Sequence, residues 1–153
     1  MKGFWLSVSA AAMLAGVTLG PVLAAEKVVL ITDEEASRPG QPAGELNRRG
    51  ITRGPQITQL EPAPANNAIK SPVHLQFKFE GRGGAKIDTG GVKVTYMKNP
   101  AIDLTDRVKP YTKDGGIDIG AAELPPGNHI IRVDVKDTEG RITTSLFTLN
   151  VVK

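Results

Sequence analysis

The sequence predicts an all-β fold, an antiparallel β-sandwich of about seven strands. Three observations predict it. From residue 55 to residue 153 apolar and polar residues alternate in run after run, the period of a half-buried strand. Turn sequences rich in glycine, proline and aspartate separate the runs. Within that same stretch no window of helical length carries apolar residues at i, i+3 and i+4.

The strands follow in order. Ile57 and Leu60 mark a first, irregular strand that stops before Pro62 and Pro64. Val73, Leu75, Phe77 and Phe79 alternate with His74, Gln76 and Lys78. Val92, Val94 and Tyr96 alternate with Lys93 and Thr95. Ile102 and Leu104 flank Asp103 in a short edge segment, and a single helical turn around Thr105–Val108 is all the helix this region admits. Ile117 and Ile119 flank Asp118. Ile131, Val133 and Val135 alternate with Arg132, Asp134 and Lys136. Phe147, Leu149 and Val151 alternate with Thr148, Asn150 and Val152. Each apolar set falls on one face of its strand. Between the strands, aspartate can accept backbone N–H groups and glycine can supply positive φ, as in residues 114–116 and 137–140. This strand count and turn spacing indicate a sandwich of immunoglobulin-like type. With no cysteine in the chain and no tryptophan after Trp5, it is not an antibody-type domain.

Residues 1–25 read as a secretory signal peptide. Lys2 is followed by an uncharged apolar run over residues 4–19, the breaker pair Gly20-Pro21 and small residues. Val22 and Ala24 suit cleavage before Ala25, and Leu23 and Ala25 suit cleavage before Glu26. The run is short for a membrane span and is interrupted by Gly16, Gly20 and Pro21, which favours a cleaved leader over an anchor. The expected location is therefore periplasmic or secreted, with no stable span after cleavage.

Residues 26–54 read as a short β-prone run, EKVVLI, followed by a flexible linker. Between residues 32 and 54 the only apolar residues are Ala36, Ala43, Leu46 and Ile51, too few to offset the entropy of ordering. Asp33, Glu34 and Glu35 make its start acidic, and Arg48, Arg49 and Arg53 make its end basic, which reads as solvated charge. Residues 28–31 have the composition to add as a strand to the edge of their own sheet or a partner's. On this reading, removing residues 26–54 leaves the domain at 55–153 folded.

Composition excludes several activities. Lys2 is the only charge before residue 26, so 18 basic residues face 16 acidic ones in the remainder, with the signs interspersed. A nucleic-acid binder needs a concentrated basic face instead. Without cysteine there is no disulfide, thiolate metal site or cysteine nucleophile. No P-loop, G-x-S-x-G elbow or H-E-x-x-H appears, and no enzyme is expected. No cofactor is expected either. Asp103/Asp106, Asp114/Asp118 and Asp134/Asp137/Glu139 lack the alternating spacing of a calcium loop and are better explained as turns.

Two stretches carry a resemblance. Residues 71–79, SPVHLQFKF, and residues 125–141, PPGNHIIRVDVKDTEGR, resemble bacterial secreted immunoglobulin-like domains. In those a proline-glycine turn launches the penultimate strand and a D-x-x-G turn joins it to the last. The same order of elements is distantly similar to the periplasmic copper-carrier sandwich family, which binds copper through histidines, acidic residues and methionines. Here Arg141 stands where that family tends to place histidine, Met97 is the only methionine after the leader, and His74 and His129 fall on separate strands. The resemblance therefore implies the architecture without the copper ligands.

His129 shares the register of Ile131, Val133 and Val135, so it is expected to point to the core with one nitrogen bonded, while His74 is expected on the exposed face. Tyr111 is the one aromatic after the leader outside a strand core position. The expected function is a binding module of the bacterial envelope, with an envelope protein or surface polymer as partner. The alternative is a metal carrier. The surface expected to make contact is the 98–116 connection, through Lys98, Arg107, Lys109, Tyr111 and Lys113, because long loops on rigid sandwiches carry recognition.

Overall fold

The computed structural model describes residues 26–42, 53–64 and 68–153. The leader-like residues 1–25 and residues 43–52 of the expected linker lie outside the described residues. Among the described residues ten strands form two sheets. They are β1 (Lys27–Val29), β2 (Gln56–Glu61), β3 (Ile69–Lys70), β4 (Val73–Glu80), β5 (Ile87–Tyr96), β6 (Ile102–Asp103), β7 (Thr112–Lys113), β8 (Gly116–Glu123), β9 (Gly127–Asp137) and β10 (Ile142–Val152). One sheet runs β1-β8-β4-β2, with β7 also on β8, and the other runs β3-β10-β9-β5-β6. The described residues also form two short helices, α1 (Asp33–Ser37) and α2 (Thr105–Val108), and a 3-10 turn at Lys109–Tyr111.

The all-β expectation holds, and so does period-2 burial: β4 alternates buried and exposed from Val73 to Glu80, and β9 buries every second residue from His129 to Asp137. The inward sets of both sheets join in one cluster that includes Leu75, Phe77, Ile117 and Ile119 from one sheet and Val94, Ile131, Val133 and Leu149 from the other. Phe77 and Phe147 meet across the interior with ring centroids 4.6 Å apart. Gly116, at φ 145°, is a position only glycine fits, because a Cβ there would lie 1.8 Å from the Phe77 carbonyl oxygen.

Three departures from expectation have physical reasons. The sheets are mixed rather than purely antiparallel, because β1 pairs in parallel with β8 and β3 in parallel with β10. Leu60 does not turn inward: the register shifts between Gln59 and Glu61, and this bulge leaves Leu60 exposed while Ile57 packs on the core.

The third departure concerns residues 32–42, expected to be linker. Together with β1, which adds to the edge of its own sheet as the 28–31 run was expected able to do, they make residues 26–42 a strap built into the domain. Lys27, Val28 and Val29 pair with Ala121, Ala122 and Glu123. Leu30 and Ile31, at 0% and 2% exposure, are core residues, and both amides donate to the Glu123 carbonyl. Thr32 then starts α1 with a capping box: its hydroxyl accepts from the Glu35 amide at 3.2 Å, and its own amide donates to the Glu35 carboxylate at 3.0 Å. The composition of residues 32–54 argued for a linker because it counted apolar side chains only. Capping and charge hold this part of it instead.

Candidate functional site

The 98–116 connection is the region singled out for recognition, and its geometry follows from how it is anchored. Leu104 donates its amide to the Val94 carbonyl at 2.9 Å, and the Thr105 hydroxyl accepts from the Val94 amide at 3.1 Å, so α2 sits against β5. Thr112 donates its hydroxyl to the Val108 carbonyl at 3.0 Å, closing the turn after α2. Val108 and Leu104 are buried in the core.

Two of the five expected contact residues are engaged within the molecule. Arg107 Nη1 donates to Glu35 Oε2 and to the Leu30 carbonyl, each at 2.8 Å, and Nη2 donates to Glu35 Oε1 at 2.7 Å. This fork holds the Glu35 carboxyl down from an ordinary 4.5 to about 2, against the opposing effect of burial. Lys98 Nζ donates to the Ala36 and Arg38 carbonyls at 2.8 and 2.9 Å and lies 5.3 Å from the centre of the Tyr96 ring. Lys98 and Arg107 therefore clamp the strap and are not available to a partner. Tyr111 is half-buried against the core, so packing takes it as well. Lys109 and Lys113 remain exposed.

His129, His74 and Asp137 do not gather into one cluster. His129 is buried, and both its nitrogens are bonded rather than one. Nε2 lies 2.7 Å from the Pro125 carbonyl oxygen, which can only accept, so Nε2 carries the proton. Nδ1 then accepts from the Tyr96 hydroxyl at 2.8 Å. Burial pushes the His129 pKa down, helped by the charge of Lys98 against the bond to Pro125, and the ring stays neutral. Burial, with the Glu35 charge, pushes the Tyr96 hydroxyl up to about 12. His74 stands on the outer face of the other sheet, 2.8 Å from Asp118. Asp137 is buried at the β9–β10 turn and accepts from the Glu139 and Arg141 amides and from Arg141 Nε at 2.8 Å. Burial pushes its carboxyl up, but these donors together hold it below the usual carboxylate range. Among the described residues no three histidine, aspartate or glutamate side chains come together.

Recesses on the surface of the described residues include a groove and a cleft. A groove of about 410 Å³ runs between β2 and β10 over Ile57, Gln59 and Phe147. A cleft of about 320 Å³ lies between β5 and α2. Its β5 wall is a bulge, where the pairing with β9 shifts between Asp88 and Lys93 and Asp88 accepts from the Gly90 amide at 3.1 Å. Its other wall is Thr105, Asp106, Val108, Lys109 and Thr112, so most of the cleft is made by the 98–116 connection.

Sequence reasoning found the connection and missed the residues that fix it. Glu35 carried a readable signal, the T-x-x-E spacing of Thr32 and Glu35 after an apolar run. Its partner Arg107 lies 72 residues away and no local pattern points to it. No family model matches the chain, and no curated protein and no solved structure matches it.

Proposed function

We infer that this chain is an exported, non-enzymatic binding module of the bacterial cell envelope, an immunoglobulin-like sandwich that presents the 98–116 connection to a partner protein or surface polymer. One observation carries the reading. The ionisable groups inside the fold, Glu35, Arg107, His129 and Asp137, all hold neighbouring elements together, while the recessed cleft is walled by a loop fixed on a rigid frame. Such a loop suits recognition. The strand order supports the immunoglobulin-like assignment, since β2, β4 and β8 adjoin in one sheet and β5, β9 and β10 in the other. In that arrangement the strap takes the edge beside β8. The leader-like residues 1–25 support export. The alternative of a metal carrier needs a ligand such as His129, whose nitrogens are already bonded to Tyr96 and Pro125.

Two experiments test the reading. Fractionation of cells producing the full chain with a C-terminal tag should recover it outside the cytoplasm, shortened by about the leader. Capture from envelope extract should retain a partner on the wild type and lose it on a Lys109→Glu/Lys113→Glu variant. A cytoplasmic, full-length product, or equal recovery on both proteins, contradicts the reading.

A further inference from the structure

We propose that the cleft between the β5 bulge and α2 binds a compact zwitterion of the amino-acid class, either free or as a short peptide. This deepens the binding-module reading and rests on it. The cleft, at about 320 Å³, sits at the small end of the range of ligand sites. Val92 and Val108, 6% and 1% exposed, supply an apolar floor. The rim is polar in a particular way. The side chains of Thr89, Asp106 and Lys109 make no hydrogen bond or ion pair with any other described residue.

Asp106 and Lys109 are three residues apart, so both charges belong to one short stretch of wall, yet they are not joined to each other. A ligand with one charge would satisfy one of them and stand beside a like charge at the other. A molecule carrying an ammonium and a carboxylate answers both, and a small aliphatic side chain suits the valine floor. Gly90 adds no side chain to narrow the mouth.

The walls are fixed before any ligand arrives. Arg107, between Asp106 and Val108, is locked to Glu35 and the Leu30 carbonyl; Thr105 is bonded to Val94 and Thr112 to Val108. Binding therefore orders little beyond the Lys109 and Asp106 side chains, which lowers its entropic cost.

Amide chemical shifts of the full chain, followed by NMR during titration with L-valine, L-valyl-L-alanine, isovalerate and isobutylamine, test the proposal. The expected result is saturable shifts confined to residues 89–92 and 105–112 for the zwitterions, with the singly charged analogues about tenfold weaker or worse. Asp106→Asn and Lys109→Ala should each weaken zwitterion binding about tenfold. Lys70→Ala, exposed on β3 at the far end of its sheet from β5, should not. Tighter binding of valine identifies the free amino acid as the ligand form, and tighter binding of the dipeptide identifies the peptide; either supports the proposal. No saturable shifts, equal binding of the singly charged analogues, or undiminished binding by Lys109→Ala overturns it. A partner captured from envelope extract by a protein that binds no zwitterion would remove this proposal and leave the broader reading standing.

Discussion

Two of the molecule's arginine–carboxylate pairs, Arg141–Asp137 and Arg107–Glu35, work over very different distances. Arg141 and Asp137 are four residues apart and close the β9–β10 turn. Arg107 and Glu35 are 72 residues apart and fasten the strap to α2. Arg107 grips Glu35 with both Nη atoms as a fork, whereas Arg141 reaches Asp137 through Nε alone, and both carboxylates are well protected from water. The first is local, forms with its own hairpin, and is readable as a D-x-x-G-R turn. The second exists only once β8, α2 and the strap have been brought together, so it depends on the whole fold. A chain can therefore carry an element that looks like a linker in composition and is a core component in structure.

The largest expected effect breaks the strap itself. Removing residues 26–42 exposes the cluster under Leu30 and Ile31 and the edge of β8, and the truncated chain should lose its cooperative thermal unfolding. Leu30→Ala alone should cost about 2–5 kcal/mol, measured by denaturant unfolding. Unfolding of either protein at the wild-type midpoint would return residues 26–42 to the status of a linker.

Next comes a direct comparison of the pairs. Arg107→Ala leaves a carboxylate at 13% exposure without its main partner and should cost about 2 kcal/mol, between the values for exposed and fully buried pairs. Asp137→Ala strips three donors of their acceptor at a fully buried site and should lower the melting midpoint further than Arg107→Ala does. The reverse order would make the long-range pair the stronger one.

Acid should sharpen the contrast. Glu35 titrates at about 2 in the folded chain against 4.5 ordinarily, so the unfolded chain takes up this proton first as pH falls. Its contribution to stability is complete above 4.5 and drains away between 4.5 and about 2. Glu35→Gln should flatten stability over that interval, relative to wild type. His129 acts higher. Its pKa is lowered by burial, so protonation of the unfolded chain costs stability as pH drops through 6.5. His129→Phe should reduce that slope. An unchanged pH profile in either variant contradicts the assigned bonding.

The smallest effect is expected at Lys113. It is exposed, and Lys113→Ala should leave stability within about 0.5 kcal/mol of wild type.

The contrast between the pairs also explains how much was legible. Period-2 alternation located the long strands from Val73 to Val152, because each has one face in the core and one in water. His129 was placed inward from register alone, but its second bond, to Pro125, depends on a turn whose carbonyl direction no spacing reports. Leu60 was misplaced by a bulge of one residue. At the candidate site, the sequence located the 98–116 connection and assigned Lys98, Arg107 and Tyr111 to an outside partner. The strap takes Lys98 and Arg107. The cleft residues Thr89 and Gly90 come from a β5 bulge, which alternation passes over because bulged residues share neither face cleanly.

Amide hydrogen exchange of the native full chain at the strap tests the central claim most directly. The Leu30 and Ile31 amides both donate to the Glu123 carbonyl beneath the surface. If the strap is part of the domain, they exchange slowly, with protection of the same order as the amides of β9. Exchange at the rate of an unstructured peptide, while β9 stays protected, would contradict it.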